Sequence, residues 1–320
     1  MQTRSFTGNG CLIPQGSVIA SNTLVGVFSK PPENPPLKAG ESCFGLPPII
    51  MPTRRNVTHD YDAALLFHPS WPLYCQRLIV EGIRILLPPV LVSLGIAAAP
   101  TTSSPLPMYY LGYVIPGILL TLVLKWTLVG TYKPVEWPMW SSQVWWSEFI
   151  TSVMEHLGPI ALAPFIGTPY LPMIYRLYGA NIGRRCYVGV LDIPEFDCVH
   201  IGDDCAFNAT SFPQTHLFED RVMKLGHVHV GNRCTMRLNA TLLPQSTMED
   251  DTALGCNSVA MKGEHLTSGY DWYGFPVDIR KASTKEDGDL QLDNVMIIQG
   301  KVDQSNYTAL ETSRCLTSSN

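Results

Sequence analysis

The hydrophobic positions between residues 179 and 280 recur at every sixth place. The clearest series consists of aliphatic or small residues: Val230, Met236, Leu242, Met248, Leu254 and Ala260. A helix would place such residues three and four apart, and an ordinary strand two apart. A period of six, with glycine directly after several of the aliphatic residues, is typical of a hexapeptide β-helix, in which three short strands form one coil. The pattern therefore predicts a mainly β fold, with a complete parallel β-helix over 179–280.

The same spacing occurs at the start of the chain, at Ile13, Ile19 and Val25. Residues 12–15 (Leu-Ile-Pro-Gln) match residues 242–245 (Leu-Leu-Pro-Gln), and residues 44–47 (Phe-Gly-Leu-Pro) match residues 273–276 (Tyr-Gly-Phe-Pro). Both matches have nearly the same offset along the chain. Residues 1–56 are therefore predicted to be a second, truncated copy of the β-helix that lacks the early coils.

The segment between the two copies is apolar and almost without charge. Residues 78–99 and 108–132 are each long enough to cross a hydrocarbon core of ~30 Å, so they are predicted as spanning helices. Residues 144–178 contain four prolines and are predicted to be interfacial or re-entrant. The alternative is a set of buried helices in a large soluble protein. Residues 57–77 are predicted as a linker and 281–320 as a polar tail.

Composition and charge narrow the classes of partner. Only 15% of the residues are charged, against about 25% in ordinary soluble domains, and the net charge is −5. Without runs of Lys or Arg, a nucleic-acid partner is excluded. Arginines flank the apolar segment on both sides and none lies in the 100–107 loop, which predicts a multi-pass protein with both β-helix domains facing the cytoplasm. The nine scattered cysteines form no metal-binding spacing, and no metal is expected.

Five strings in the second half of the chain carry a resemblance to a known family. They are Glu195-Phe196-Asp197, residues 201–204 (IGDD), residues 215–224 (THLFEDRVMK), residues 261–264 (MKGE) and residues 272–276 (WYGFP). Together they resemble the C-terminal region of poly-ε-lysine synthetase-like (Pls/PosA type) nonribosomal peptide synthetases. The resemblance implies tandem acyltransferase-like hexapeptide domains separated by membrane helices. With the hexad, it implies left-handed coils, against the usual right-handed crossover rule.

The resemblance also implies a donor and partners. The donor would be a phosphopantetheine thioester on a carrier domain outside this chain, with a coenzyme A thioester as the alternative. Adenylation and carrier domains of a synthetase would be partners, in addition to the membrane. A neighbouring β-helix, from residues 1–56 or from another copy in a homo-oligomer, is expected to close a crevice in front of the catalytic residue.

The catalytic candidate lies where the hexad is interrupted, between residues 211 and 229. His216 is predicted to be the general base of an acyl transfer, because the pKa of histidine lies near neutrality. Asp220 follows four residues later, so that in a helical loop it would lie on the same face and orient the imidazole. The alternative is a structural loop histidine. Residues 227 and 229, both histidines, are expected to face outward from a strand. The predicted substrate-binding residues are Glu195, Asp197, Asn208, Glu219, Arg221 and Glu264.

These observations favour a membrane-associated acyltransferase-like module that forms or releases an amide from a carrier-bound aminoacyl thioester. Two alternatives stay open. One is a non-catalytic membrane scaffold or export module for a synthetase, which needs no histidine in the inserted loop. The other is a coenzyme A-dependent hexapeptide acetyltransferase.

Overall fold

The computed structural model describes residues 1–52, 61–98, 112 and 114–280. The predicted polar tail at 281–320 lies outside the described residues. The described chain forms a short stack of coils at the N-terminus, a helical block, and a longer parallel β-helix.

The N-terminal stack consists of three parallel strands and one antiparallel strand. Their bounds are Phe6–Thr7 (β1), Leu24–Val25 (β2), Ser42–Phe44 (β3) and Ile49–Met51 (β4). Thr7 pairs with Val25, and Val25 with Cys43, so each coil takes 18 residues, or three hexads. Ile19, Val25, Leu37 and Cys43 are buried together inside the coils.

Within its described residues, the helical block contains five α-helices and one short strand. The helices are Ala63–Leu66 (α1), Trp71–Ala98 (α2), Ile115–Leu124 (α3), Ser142–Leu162 (α4) and Tyr170–Tyr178 (α5), and the strand is Glu136–Pro138 (β5). A π-helical segment, Lys125–Val129, continues α3. Helix α4 is the centre of the block, because α2 and α3 both pack against it. Its buried face includes Val144, Trp145, Phe149, Ile150 and Val153.

The long β-helix follows α5. Its strands are Asn181–Ile182 (β6), Tyr187–Val188 (β7), Val199–Ile201 (β8), Ala206–Phe207 (β9), Phe212–Pro213 (β10), His216–Glu219 (β11), Val222–Leu225 (β12), Val228–Val230 (β13), Thr235–Met236 (β14), Thr241–Leu242 (β15), Thr247–Met248 (β16), Ala253–Leu254 (β17), Val259–Ala260 (β18), His265–Leu266 (β19), Asp271–Gly274 (β20) and Val277–Arg280 (β21).

Three parallel sheets form the faces of this β-helix. Their orders are β6-β8-β13-β16-β19, β7-β9-β14-β17-β20 with β21 antiparallel at its edge, and β10-β15-β18. The register stacks Val230 on Met248 and Met248 on Leu266, again 18 residues apart. The predicted series of residues at period six forms the buried interior. The parallel β-helix predicted from the hexad is therefore present.

The predicted spanning helices are not found among the described residues. In the parts of the chain that the structure describes, no helix is both long enough and apolar enough to cross a membrane. The predicted span at 78–99 lies largely within α2, where Arg77 and Arg84 pair with Glu148 of α4 at N–O distances of 2.6 and 3.5 Å. The predicted span at 108–132 begins outside the described residues, and its described part includes the fully buried Lys125.

Two further boundaries differ from the prediction. Helix α2 begins at Trp71, inside the predicted linker 57–77. The predicted interfacial pair at 144–178 corresponds to α4 and α5, and both pack into the protein. Tyr175 and Tyr178 of α5 are fully buried at the first coil of the long β-helix, where Tyr178 stacks on Phe196 with ring centroids 4.8 Å apart. Helix α5 therefore covers the end of the coil stack, which would otherwise expose apolar side chains.

The two coil stacks are in direct contact. Phe44 meets Phe275 with ring centroids 4.6 Å apart, and the backbone N–H of Leu46 donates to the carbonyl of Phe275 at 2.8 Å. Val27 and Phe44 of the short stack share an apolar cluster with Leu243 and Val259 of the long one. This contact leaves a crevice between the two stacks.

Candidate active site

The inserted segment is a β-hairpin and not a helix. Strands β11 and β12 pair antiparallel, with His216 opposite Leu225, and β5 extends the sheet beyond β12. Asp220 and Arg221 form the turn with φ angles of 53° and 62°, as a two-residue hairpin turn of type I′ requires. Four residues of strand span about 13 Å, so the predicted pairing of His216 with Asp220 is wrong.

The carboxylate that contacts His216 belongs to Glu195. Its Oε2 atom lies 2.9 Å from Nδ1 of His216, and the hydroxyl of Thr215 donates to the same oxygen at 2.5 Å. Glu195 is only 1% exposed. With Nδ1 held by Glu195, Nε2 is the ring nitrogen available to a substrate. This is the geometry of a general base with an orienting carboxylate.

His216 and Glu195 shift each other's pKa values. Burial alone would lower the pKa of His216, but the negative charge and hydrogen bond of Glu195, with further contributions from Asp192 and Glu148, raise it above its ordinary value. Burial alone would raise the pKa of Glu195, but His216 and the hydroxyl of Thr215 lower it. The charged forms of the two groups therefore stabilise each other.

A cavity of about 370 Å³ occupies the crevice between the two coil stacks and reaches His216. Most of its wall is apolar. The short stack contributes Phe6, Thr7, Gly8, Asn9, Leu24, Gly26, Val27, Ser42, Phe44 and Met51, and the long stack and hairpin contribute Gln214, His216, Leu217, Phe218, Glu219, Leu243, Met261 and Lys262. Both copies of the repeat therefore build the surroundings of the histidine.

A second cavity, of about 140 Å³, reaches His216 from the side of the helical block. Its wall includes Glu148, Glu155 and Glu195, together with Arg84, which pairs with Glu148 at 3.5 Å. Glu155 also lines an adjoining cavity of about 190 Å³ together with Asp192. Burial and the nearby charge of Glu155 raise the pKa of Asp192. Carboxylates therefore line the approach to the imidazole from the side of the helical block.

Two of the predicted substrate-binding residues line these cavities. Glu195 lies at the back of the smaller cavity as the partner of His216. Glu219 lines the large cavity and forms an ion pair with Lys224, with an N–O distance of 2.8 Å.

Asp197 lies away from the cavities. Its carboxylate pairs with the buried Lys125 at 2.8 Å and accepts a hydrogen bond from the backbone N–H of Tyr132 at 3.0 Å. It links the π-helical segment to the β-helix.

The side chains of the remaining three predicted substrate-binding residues form hydrogen bonds with backbone atoms. The Asn208 amide donates to the carbonyl of Met236, Glu264 accepts the backbone N–H of Met261, and Arg221 donates to the carbonyl of Leu66. Within the described residues, none of these hydrogen bonds involves His216.

Sequence reasoning missed Asp192 and Thr215. Both are close to residues that it did name, since Asp192 precedes Glu195 in the chain and Thr215 precedes His216. A hexad frame carried through residues 189–199 would have shown a second interruption there, which places Asp192 and Glu195 outside the regular strands.

Comparison with known proteins gives one close sequence relative. No family model matches the chain. The delta-poly-L-ornithine synthetase of Acinetobacter baumannii (strain AB307-0294) is 38% identical over 287 residues, which is 85% of this chain. The match spans only 22% of that protein's length. The similarity therefore covers most of this chain and about a fifth of the synthetase.

Solved structures with similar regions include two acetyltransferases. A hexapeptide-repeat acetyltransferase from Vibrio cholerae is 14% identical over 42% of this chain and 92% of its own, with a TM-score of 0.33. A maltose O-acetyltransferase from Clostridium difficile 630 is 15% identical over 41% of this chain and 84% of its own, with a TM-score of 0.31. At TM-scores this low, neither structure supports an argument about this chain.

Proposed function

We propose that this chain is an acyltransferase-like enzyme that forms or releases an amide from a pantetheine-bound aminoacyl thioester, with His216 as the general base. The observation that carries the proposal is the position of His216, held by the buried Glu195 at the meeting point of an apolar and an acidic cavity. The sequence similarity to a synthetase supports the same class of enzyme.

The reaction needs one proton acceptor and one leaving group. The amine nitrogen of the acceptor attacks the thioester carbonyl carbon, while Nε2 of His216 takes the proton that the amine loses. The C–N bond forms, the C–S bond breaks, and the thiolate takes the proton back from the imidazolium. Glu195 keeps Nδ1 protonated and stabilises the imidazolium between these two steps.

The two cavities suit the two substrates. A pantetheine arm is long, narrow and largely uncharged, so we assign it to the apolar crevice between the stacks. An acceptor with a second ammonium group would be held by Glu155 and Asp192 in the acidic cavities. Ornithine is the first amino acid to test on both sides of the reaction, because the relative is a poly-ornithine synthetase.

We propose that a carrier domain supplies the pantetheine thioester. A carrier domain outside this chain and coenzyme A offer the same arm, and the carrier-bound donor follows from the resemblance to peptide synthetases. In that setting, adenylation and carrier domains would be the partners of this chain.

We also propose that the helical block lies against a membrane, with the coil stacks on the cytoplasmic side. Exposed apolar side chains on α2 and α3 support this: Leu78, Ile79, Ile85, Leu86, Leu94, Leu119 and Val123. Vesicle flotation tests it, since the wild-type chain should float with phospholipid vesicles and an Ile85→Asp, Leu86→Asp variant should not. A wild-type chain that stays at the bottom of the gradient contradicts membrane association.

The direct test of the enzyme is an amide-forming assay with the purified chain. Ornithyl-pantetheine, ornithyl-coenzyme A and ornithine loaded on a carrier protein are offered with free ornithine, and the dipeptide is measured by mass spectrometry. Turnover above the background rate with any of these donors supports the proposal, and the preferred donor identifies the thioester source. No turnover with all three favours the non-catalytic scaffold.

A further inference from the structure

Three histidine side chains other than His216 meet on the outer face of the long β-helix. His200 of β8 and His229 of β13 are partners in the parallel register, and their rings stack with centroids 4.6 Å apart and planes 8° apart. His227 precedes β13, and its Nδ1 lies 3.1 Å from Nε2 of His200. One ring nitrogen from each residue falls within a group whose atoms are all within 4.8 Å of one another.

Two of the three imidazoles lie where burial and neighbouring rings disfavour the protonated form. Burial, and then the neighbouring rings, lower the pKa of His200 and His229. Neutral imidazoles each offer a lone pair, which is the form that binds a metal ion. The cluster therefore has the spacing of a ligand set.

We propose that His200, His227 and His229 form a site for a divalent transition-metal ion of the Zn²⁺ class. Zinc binds histidine nitrogen at about 2.0–2.1 Å in tetrahedral geometry, so two such nitrogens lie about 3.3 Å apart. The separation of 3.1 Å between His200 and His227 is close to this value. His229 is exposed on the surface, so its ring can rotate to complete the set. Water would fill the fourth position.

Asn181 lies beside His200 and can form a hydrogen bond with the ring nitrogen that does not bind the metal. Its amide nitrogen lies 3.5 Å from Nδ1 of His200. The oxygen and the nitrogen of a side-chain amide are assigned from the surrounding hydrogen bonds. Rotating the amide of Asn181 by half a turn places its oxygen beside Nδ1 of His200. An oxygen at that position accepts the proton of Nδ1 and leaves Nε2 free for the metal, as outer partners of metal-bound histidines commonly do.

The location indicates what the metal would do. His227 lies two residues beyond Leu225, the residue that pairs with His216 at the base of the hairpin. A metal bridging His227 to His200 and His229 would join the β8 coil to the next coil at the point where the hairpin leaves the β-helix. It would brace the element that carries the catalytic histidine without taking part in the reaction.

Metal titration of the full chain tests the site. The purification tag is removed, the protein is stripped with a chelator, and Zn²⁺ is titrated by calorimetry. His229→Asn and His200→Asn are compared with His265→Asn, a histidine on the same face that pairs with Glu249 instead. We expect one Zn²⁺ per chain in the wild type and in His265→Asn, and a loss of affinity of at least tenfold in the other two variants.

Several outcomes would overturn the site. They are the absence of saturable binding to the wild type, unchanged affinity in His229→Asn, and equal loss in His265→Asn. Because His229 is exposed, its variant is expected to fold even if His200→Asn does not, and circular dichroism checks this. Co²⁺ gives a second readout, since nitrogen and water ligands produce only weak visible bands. Intense near-ultraviolet charge-transfer bands would assign the metal to cysteine instead.

Discussion

Glu195 Oε2 and His216 Nδ1 are 2.9 Å apart, although 21 positions separate the two residues along the chain. The contact forms because the segment before β8 and the inserted hairpin both depart from the regular coils on the same side of the β-helix. It brings a buried carboxylate to an imidazole that faces two cavities.

The pH dependence of catalysis should respond to Glu195. In the pH profile of kcat/KM, the midpoint of the wild-type acidic limb is expected above the ordinary histidine pKa of about 6.5. The reason is that Glu195, with Asp192 and Glu148, outweighs the effect of burial and raises the pKa of His216. Glu195→Gln removes the nearest charge, so the limb should move to lower pH while the maximal rate falls. Steady-state kinetics from pH 5 to 9 measures both. A limb unchanged in Glu195→Gln would show that His216 is not the titrating base.

The Glu195–His216 pair should make the free energy of unfolding fall both when the pH is raised and when it is lowered. The raised pKa of His216 contributes stability that is fully present below about pH 6.5 and is lost as pH rises through its folded pKa. The lowered pKa of Glu195 contributes stability that is present above about pH 4.3 and is lost as pH falls through its folded pKa. Thermal unfolding of the wild type should show both losses, and the His216→Asn, Glu195→Gln double variant should show neither. Parallel curves for the two proteins would contradict this coupling.

Filling the crevice should weaken donor binding. Leu24→Trp adds bulk to the wall that the short stack contributes, so we expect the KM for the pantetheine donor to rise about tenfold or more. The matched control is Leu12→Trp, an exposed leucine of the same stack outside the cavity wall. A normal donor KM in Leu24→Trp would place the donor elsewhere.

Removing the negative charge of Asp192 should weaken binding of the acceptor and not of the donor. Asp192→Asn is expected to raise the KM for ornithine as acceptor about tenfold, the range of one hydrogen bond to a charged group, and to leave the donor KM unchanged. Asp278→Asn, an exposed acid near the end of the β-helix, is the control. Equal effects on donor and acceptor would show that the acidic cavities do not select the amine.

The Lys125–Asp197 pair should matter for stability and not for chemistry. Lys125 is fully buried with its ammonium 3.4 Å from the ring centroid of Trp126. Lys125→Met leaves Asp197 buried without its cation, which we expect to cost about 3–5 kcal/mol. Urea unfolding measures this loss, and a Lys125→Met, Asp197→Leu double variant should recover part of it. A single variant as stable as the wild type would contradict the structural role.

The repeat pattern predicted the coils because their interior is built from local sequence. One buried aliphatic residue in every six has to point inward in each coil, so the series from Val230 to Ala260 is readable without a structure. The internal match of residues 44–47 with residues 273–276 likewise predicted two copies, and Phe44 and Phe275 are where the copies touch.

The remaining features depend on contacts that no local pattern encodes. The chain segment 78–99 is apolar enough to suggest a span, but Arg77 and Arg84 find Glu148 on a helix more than sixty residues away. Asp220 is at a helical spacing from His216, yet the positive φ angles at Asp220 and Arg221 turn the chain into a hairpin. The histidine cluster was also missed, because cysteine spacing was the only sequence signal considered for a metal site. His200 and His229 become neighbours only when the coils stack.

The most direct test of the central claim is single-turnover amide formation by His216→Asn. Asparagine keeps a polar side chain of similar reach but cannot accept the proton, so the account predicts a fall in rate of about 10²–10⁴-fold with donor binding retained. The His265→Asn variant should react at the wild-type rate. If His216→Asn forms the amide as fast as the wild type, with the same pH dependence, His216 is not the base and the proposed site is wrong.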